Sequence, residues 1–261
     1  MIAGSGNLPF ILAQELNNSG NDLITISITK SADTRLALFS SNFFQIGIGQ
    51  VKKIINTLKE TEAEEIVIMG KISKSLLFKP LNLDIKSVKI LSKLRDRTDS
   101  SIFRAIADEF EHASLKLIDQ RTYLARLLPQ KGVLTRHQPS KAEWLDIEYG
   151  MDLAKKTANL GIGQTVIIKD QIILSVEAIE GTDEAIRRGG KLCDKGVVVA
   201  KAAKPDQDFR FDVPTIGPDT IDVLIESKAN AISIEYGKAF LLEPEITIPQ
   251  ADAAKIAIVV I

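Results

Sequence analysis

The sequence predicts an α/β protein of two domains, an N-terminal one around a parallel sheet and a C-terminal one of mixed α/β character. Three observations carry this. Through the first half, apolar strand-like runs alternate with helically spaced apolar residues about every 20 to 30 residues, the pattern of right-handed crossovers between parallel strands. Aromatic residues make up only 5% of the 261, so the strands must be covered by Ile, Leu, Val and Ala. The polar stretch 127–141, LLPQKGVLTRHQPSK, carries two prolines and a glycine among few inward-facing positions. Domains are therefore expected at 1–128 and 142–261, joined by a linker at 129–141.

In chain order, a truncated strand runs into Gly4-Ser5-Gly6-Asn7, and Leu8, Ile11, Leu12 and Leu16 then recur at helical spacing. A glycine turn between a strand and a helix points backbone N–H groups at whatever anion lies above it. It is read either as a phosphate cradle or as an ordinary tight turn, because the third glycine of a dinucleotide fingerprint is missing. Residues 23–29 read as a strand; Val51, Ile54, Ile55 and Leu58 line one face of a helix; residues 66–69 read as one buried strand ending at Gly70. Helices are expected at 85–94 and 99–113, with Asp99 as N-cap, followed by a short strand at 115–118. Arg95, Asp96, Arg97 and Arg104 read as solvated charges at a helix start, and His112 and His137 as surface residues.

The second half opens with a helix over 142–159. Two strands, 165–169 and 172–178, follow around a tight polar turn, and Glu177 falls inside the second, where burial demands a partner. A short helix after Glu180-Gly181-Thr182-Asp183 bears Arg187 and Arg188, and a third strand is expected at 196–204. The chain then enters KPDQDFRFDVPTIGPDT, residues 204–220, with four carboxylates, two cations and three prolines. That composition suits neither a core strand nor an amphipathic helix and predicts a stiff, extended polar loop. A helix begins at 217–220, a strand pair is expected around Tyr236-Gly237, and an Ala-rich helix and a last strand at 256–261 close the chain.

Charge narrows the function. There are 33 basic and 34 acidic residues, which argues against a nucleic-acid binder. The single cysteine, Cys193, excludes an intrachain disulfide. No signal peptide and no apolar run near roughly 20 residues is present, so a cytosolic protein is expected. No Cys/His spacing suits zinc, and no Ser or Cys sits in a nucleophile motif. Polar residues fall at three strand ends: Gln164, then Glu177 to Asp183, then Lys204 to Asp212. Carboxylates mixed with cations suit a metal-assisted reaction at a phosphate ester or diphosphate; the alternative is a set of salt bridges tying strand ends together.

IAGSGNLP (2–9), RTDSSIFRAIADEFE (97–111), GQTVIIKDQIILSVEAIEGTDEAIRRGG (163–190) and KPDQDFRFDVPTIGPDT (204–220) resemble, in order, the UDP-2,3-diacylglucosamine pyrophosphatase family of lipid A biosynthesis, the LpxI type. The resemblance implies a Rossmann-like N-terminal domain, a C-terminal domain of its own fold and a ligand cleft between them. It implies a cytoplasmic enzyme, peripheral to the inner membrane at most, that hydrolyses UDP-2,3-diacylglucosamine to UMP and 2,3-diacylglucosamine 1-phosphate (lipid X), with water attacking the α-phosphorus and Mg2+ (or Mn2+) as cofactor. The family's essential aspartate corresponds to Asp212. Asp183, Glu180 and Asp208 become candidate metal ligands or their supports, and Lys204, Arg210 and Arg188 candidate counter-charges for the diphosphate. Gly4, Ser5, Gly6, Asn7, Gln164, Gly181, Thr182, Gln207, Thr215 and Gly217 complete the expected substrate contacts, and a homodimer stays open. The sequence departs from the family pattern at two places: almost nothing precedes Ile2, so the first strand is expected to pair weakly, and Ser100 stands where relatives often have a second aspartate. The rival readings are a sugar-nucleotide or dinucleotide-binding protein without hydrolysis, such as an oxidoreductase or regulator, and a non-catalytic scaffold.

Overall fold

The computed structural model describes the chain except residues 30–33, 72–82 and 95–98 and the side chains of Lys93, Asp99 and Ser100. The charges expected at Arg95, Asp96 and Arg97, and the cap expected from Asp99, lie outside the described residues. The chain divides into two compact units, one of Met1–Leu124 with Asp208–Asp212, the other of Ala125–Gln207 with Val213–Ile261.

The first unit runs β1 (Ile2–Ala3), α1 (Leu8–Asn18), β2 (Ile24–Ser27), a 3-10 turn (Thr34–Phe39), β3 (Asn42–Gln45), α2 (Val51–Glu60), β4 (Glu65–Ile66), β5 (Ile68–Met69), α3 (Ile85–Lys93), α4 (Asp99–His112) and β6 (Lys116–Leu117). Four strands form a parallel sheet in the order β3-β2-β1-β5. The run 66–69, expected as one strand, is divided: β4 pairs with β6 and β5 with β1, so consecutive residues serve two sheets. Nor is β1 weakly paired. It lies inside the sheet, with Ile2 donating to Val67 O at 2.8 Å, Gly4 to Met69 O at 2.8 Å, and Ala3 O accepting from Ile28 N at 3.0 Å. Burial of Ile2 and Ala3 on both sides compensates for the strand's shortness.

Val51, Ile54, Ile55 and Leu58 are all buried, as their spacing requires, and join Ile26, Ile66, Ile68 and Phe110 in one core. Asp84 fixes how α2 and α3 begin. Its carboxylate accepts from Ser87 N at 2.8 Å, at the start of α3, and from Lys52 N at 2.7 Å, in the first turn of α2. Desolvation pushes this carboxyl up, but the amides and the Ser87 hydroxyl outweigh it and hold it below the usual carboxylate range. One side chain thus satisfies the open N–H groups of two helices. Asp84→Ala is expected to destabilise the protein by about 1–2 kcal/mol, read from the midpoint of urea denaturation.

The second unit runs β7 (Gly132–Val133), α5 (Lys141–Asn159), β8 (Thr165–Lys169), β9 (Ile172–Val176), α6 (Thr182–Gly190), β10 (Val197–Lys201), β11 (Thr215–Ile216), α7 (Pro218–Glu226), β12 (Ala229–Ile234), β13 (Phe240–Leu241), α8 (Pro244–Ala253) and β14 (Ala257–Val260). Its main sheet has the order β7-β14-β12-β10-β8-β9, parallel across β14-β12-β10 and antiparallel elsewhere. Ile147 packs on one face with Ile168 and Val198, and Met151 and Ala154 of the same helix with Val166 and Ala200. Ala185, Ile186, Ile221 and Leu224 of α6 and α7 cover the other face. Both faces are buried, so β8, β10 and β14 read as continuous apolar runs.

Two expectations fail here. The stretch 129–141 is not a linker: Gly132 and Val133 pair with β14, Leu134 N donates to Ile258 O at 2.9 Å, and Thr135 is buried. Its few apolar residues suffice because an edge strand has one neighbour to satisfy. The expected pair around Tyr236-Gly237 is also absent, since β12 joins the main sheet and β13 pairs in parallel with β11.

Candidate functional site

In the second unit, polar side chains line up across the ends of β9, β8 and β10. Lys201 stands opposite Thr165, and Val166 opposite Val176, which sets Glu177 opposite Thr165 on its other side. Opposed residues of antiparallel strands share a face, so Glu177, Thr165 and Lys201 form one row. Thr182, the first residue of α6, lies over it, with its hydroxyl 3.5 Å from that of Thr165 and 3.1 Å from Lys201 Nζ. Lys201 Nζ also donates to Thr215 O at 3.2 Å.

Two glycines make this packing possible. A Cβ on Gly163 would lie 2.1 Å from Glu177 O, so only glycine admits the close approach of the segments before β8 and after β9. Gly181, at φ 88°, turns the chain into α6 in a conformation that favours glycine. Gln164 Oε1 and Glu177 Oε2 are buried here and make no hydrogen bond among the described residues. Burial without a partner costs free energy, which is tolerated where a ligand supplies the partner.

Other predicted residues of this unit are engaged in the fold. Glu180 binds Arg188 at 2.6 Å, and Arg188 also donates to Val176 O at 2.8 Å. Hydrogen bonds from its own backbone and from Arg188 hold Glu180 below the usual carboxylate range. Asp183 is exposed in the first turn of α6, where its charge complements the helix dipole. Lys204 and Gln207 close a turn on each other, Lys204 N donating to Gln207 Oε1 at 3.3 Å and Gln207 N to Lys204 O at 3.1 Å. Thr215 Oγ donates to Val213 O at 2.9 Å, and Gly217 is the N-cap of α7.

In the first unit, Gly4 and Ser5 spend their amides on the neighbouring strand and its loop: Gly4 N on Met69 O, Ser5 N on Lys71 O at 3.0 Å. A Cβ on Gly4 would meet Lys71 O at 2.7 Å, so this glycine permits backbone clasping. The expected cradle is thereby reduced to its exposed edge, Gly6 and Asn7.

The loop 204–220 is not extended. It makes two turns, and its segment Asp208–Asp212 is built into the first unit. Phe211 is buried and stacks on Phe103 with centroids 4.9 Å apart. Phe209 O accepts from Gln120 N at 3.0 Å, and Arg121 lies 3.6 Å over the Phe209 ring. Arg210, expected to meet a diphosphate, instead clamps Asp208 at 2.8 Å and Glu111 at 3.1 Å. Asp212 follows directly, exposed, its amide 3.4 Å from Asp208 O.

Hydrogen bonds from Arg210 are the main reason the Asp208 carboxyl sits below the usual range. A carboxyl depressed by folding contributes stability that is complete above about pH 4 and is lost as pH falls through its lower folded value. Asp208→Asn is therefore expected to weaken the decline in denaturation midpoint below pH 4, leaving pH 7 to 5 little changed in shape.

Of the four acids expected around a metal, Asp208 and Asp212 belong to the first unit and Glu180 and Asp183 to the second. No three His, Cys, Asp or Glu side chains converge on a cation position among the described residues. Asp208 and Glu180 hold guanidinium groups instead. Mg2+ commonly takes only one or two protein carboxylates, completing its shell with phosphate oxygens and water, so a site for it needs no such cluster.

Family models of the LpxI N-terminal domain and the LpxI C-terminal domain match residues 1–127 and 130–259. The chain belongs to the LpxI family. It is 29% identical over 263 aligned positions to the UDP-2,3-diacylglucosamine pyrophosphatase LpxI of Caulobacter vibrioides, with 97% of this chain and 93% of that protein covered. Lys201, which the register sets opposite Thr165, carries no reading in the sequence. The signal was present: one charged residue within VVVAKAA, 197–203, a run otherwise wholly apolar.

Proposed function

We propose that this chain hydrolyses UDP-2,3-diacylglucosamine to UMP and 2,3-diacylglucosamine 1-phosphate in lipid A biosynthesis. The observation that carries this is family membership over both halves of the chain, together with a relative of that name aligned along 97% of it. Water attacks the α-phosphorus, the bond from that phosphorus to the bridging oxygen breaks, and the bridging oxygen leaves with the sugar phosphate. Asp212 is the carboxylate that accepts the proton of the attacking water; its exposure at the end of a clasped loop supports that role. Mg2+ or Mn2+ would be held by Asp212 with diphosphate oxygens and water, and would supply neutralisation of charge on the departing phosphate.

The order β3-β2-β1-β5, with a glycine turn after β1, supports a Rossmann-like reading of the first unit and an edge at Gly6 and Asn7 for a nucleotide phosphate. Gln164, Gly181, Thr182 and Thr215 are the substrate contacts favoured in the second. Exposed Ile162 and Ile179, close in sequence to Gly163 and Glu177, suit contact with an acyl chain. No helix among the described residues is long and apolar enough to cross a membrane, which agrees with peripheral work at the cytoplasmic face of the inner membrane. Incubating the purified protein with UDP-2,3-diacylglucosamine, with Mg2+ and with a chelator, tests the proposal. UMP should appear and chelation should abolish it; no UMP under either condition would refute the activity.

A further inference from the structure

We infer that this chain forms a two-fold symmetric homodimer, in which β9 of one copy lies along β9 of a second and α6 runs antiparallel to its own copy across the seam. The inference draws on the second unit alone and is independent of the reaction the chain catalyses.

β9 ends the six-stranded sheet and has β8 on one side only. Among the described residues, the backbones of Ile172, Ile173 and Leu174 make no hydrogen bond beyond that hairpin. Soluble proteins blunt such an edge with charge, proline or shortness, because an open ladder recruits a further strand. The opposite edge follows this rule, since β7 is only two residues long. β9 does not: it is five residues, IILSV, with Ile172 64% and Ile173 44% exposed. The register shift in the hairpin falls between Ile167 and Ile168, and leaves Ile172 and Ile173 in regular pairs with Lys169 and Ile168. Neighbouring side chains of a strand point to opposite faces, so a second strand along this edge shelters both isoleucines.

The partner is a second copy because the surface complements itself. Identical antiparallel strands are related by a two-fold axis normal to the sheet, which reverses α6 and keeps it on the same face. The middle of α6 lies level with the middle of β9: Ser175 Oγ donates to Ala185 O at 2.7 Å, and a Cβ on Gly189 would come within 2.6 Å of that hydroxyl. An axis through the middle of β9 therefore sets the first half of α6 against the second half of its copy. Charge is divided in the same way. Asp183 and Glu184 occupy the first turn, Arg187 and Arg188 the last, and Lys191 follows. Glu184, Arg188 and Lys191 recur at i, i+4 and i+7, on one helix face. That face lies toward the sheet edge, because Arg188 donates to Val176 O at 2.8 Å. With Ala178, Glu180 and Arg187 these residues line a cavity of about 580 Å³, open to the side chains of a facing helix. Glu184 of each copy then meets Lys191 of the other.

Sedimentation equilibrium of the full chain between about 1 and about 100 μM tests this. The parent should sediment at twice the 28.6 kDa of one chain. Glu184→Lys and Lys191→Glu each set like charges together twice in a two-fold interface, and each should raise the dissociation constant about 10- to 100-fold. Mixing the two variants restores opposite charges at both contacts, so a heterodimer should form with a constant within about threefold of the parent's. Circular dichroism reports whether each variant folds; where a charge variant does not, Ile172→Asp decides, and should raise the constant at least about tenfold. A parent that keeps the mass of one chain throughout overturns the inference, as do variant constants that stay at the parent value or fail to recover on mixing. A monomer that cosediments with phosphatidylcholine vesicles, and loses them in Ile172→Asp, gives this face to a membrane and overturns the dimer equally.

Discussion

Asp212→Asn is expected to lower kcat for UMP release by about 10²- to 10⁴-fold while binding of the uridine nucleotide stays within a few-fold. The substitution keeps size and shape, so packing is not disturbed; Asp212 is exposed and its amide bond to Asp208 O survives. What disappears is the negative charge and the acceptor for the water's proton. Two controls separate the roles open to that carboxylate. If Asp212 accepts the proton, the acid limb of the pH–rate profile flattens in the variant. If it chiefly holds the cation, the Mg2+ concentration giving half-maximal residual rate rises instead. A variant within tenfold of the parent rate would remove Asp212 from the chemistry altogether.

Much of this architecture was legible from local patterning, because periodicity reports which face of an element is buried. Val51, Ile54, Ile55 and Leu58 declare a helix within one short window, and Thr165–Lys169 reads directly as a strand. Whatever depends on distant partners was not legible. Phe209, Arg210 and Phe211 look like ordinary loop residues until Gln120, Arg121, Phe103 and Glu111 meet them, the last 99 residues away. Arg210 and Asp208 look free for ligands in the sequence and are spent on each other in the fold. Lys201 shows the reverse: it falls inside the expected strand 196–204 without a role, and only the fold shows its register with Thr165 and the approach of Thr182. Two-residue strands such as β7 carry too little pattern to separate from a linker.

Phe211→Ala is expected to cost about 3 kcal/mol of stability and to lower kcat well beyond its effect on KM. Phe211 is 8% exposed and belongs to the core of the first unit, so truncation removes both the buried ring and its stack on Phe103, the latter worth roughly 1 kcal/mol. Arg210 and the Phe209 carbonyl would still hold the segment, but Arg210 is partly exposed and its ion pairs are weak anchors by comparison. With the ring gone, the residue that follows it, Asp212, gains positional freedom. A displacement near 1 Å at a reacting group costs about 10²-fold in rate, so the kinetic loss outruns what partial unfolding explains at temperatures where the variant is folded. Phe211→Leu, which refills most of the cavity without the stack, should recover most of the stability and much of kcat. Denaturant titrations of both variants beside steady-state UMP release decide it: equal losses in kcat for Leu and Ala would mean that the ring's anchoring of the loop does not govern Asp212.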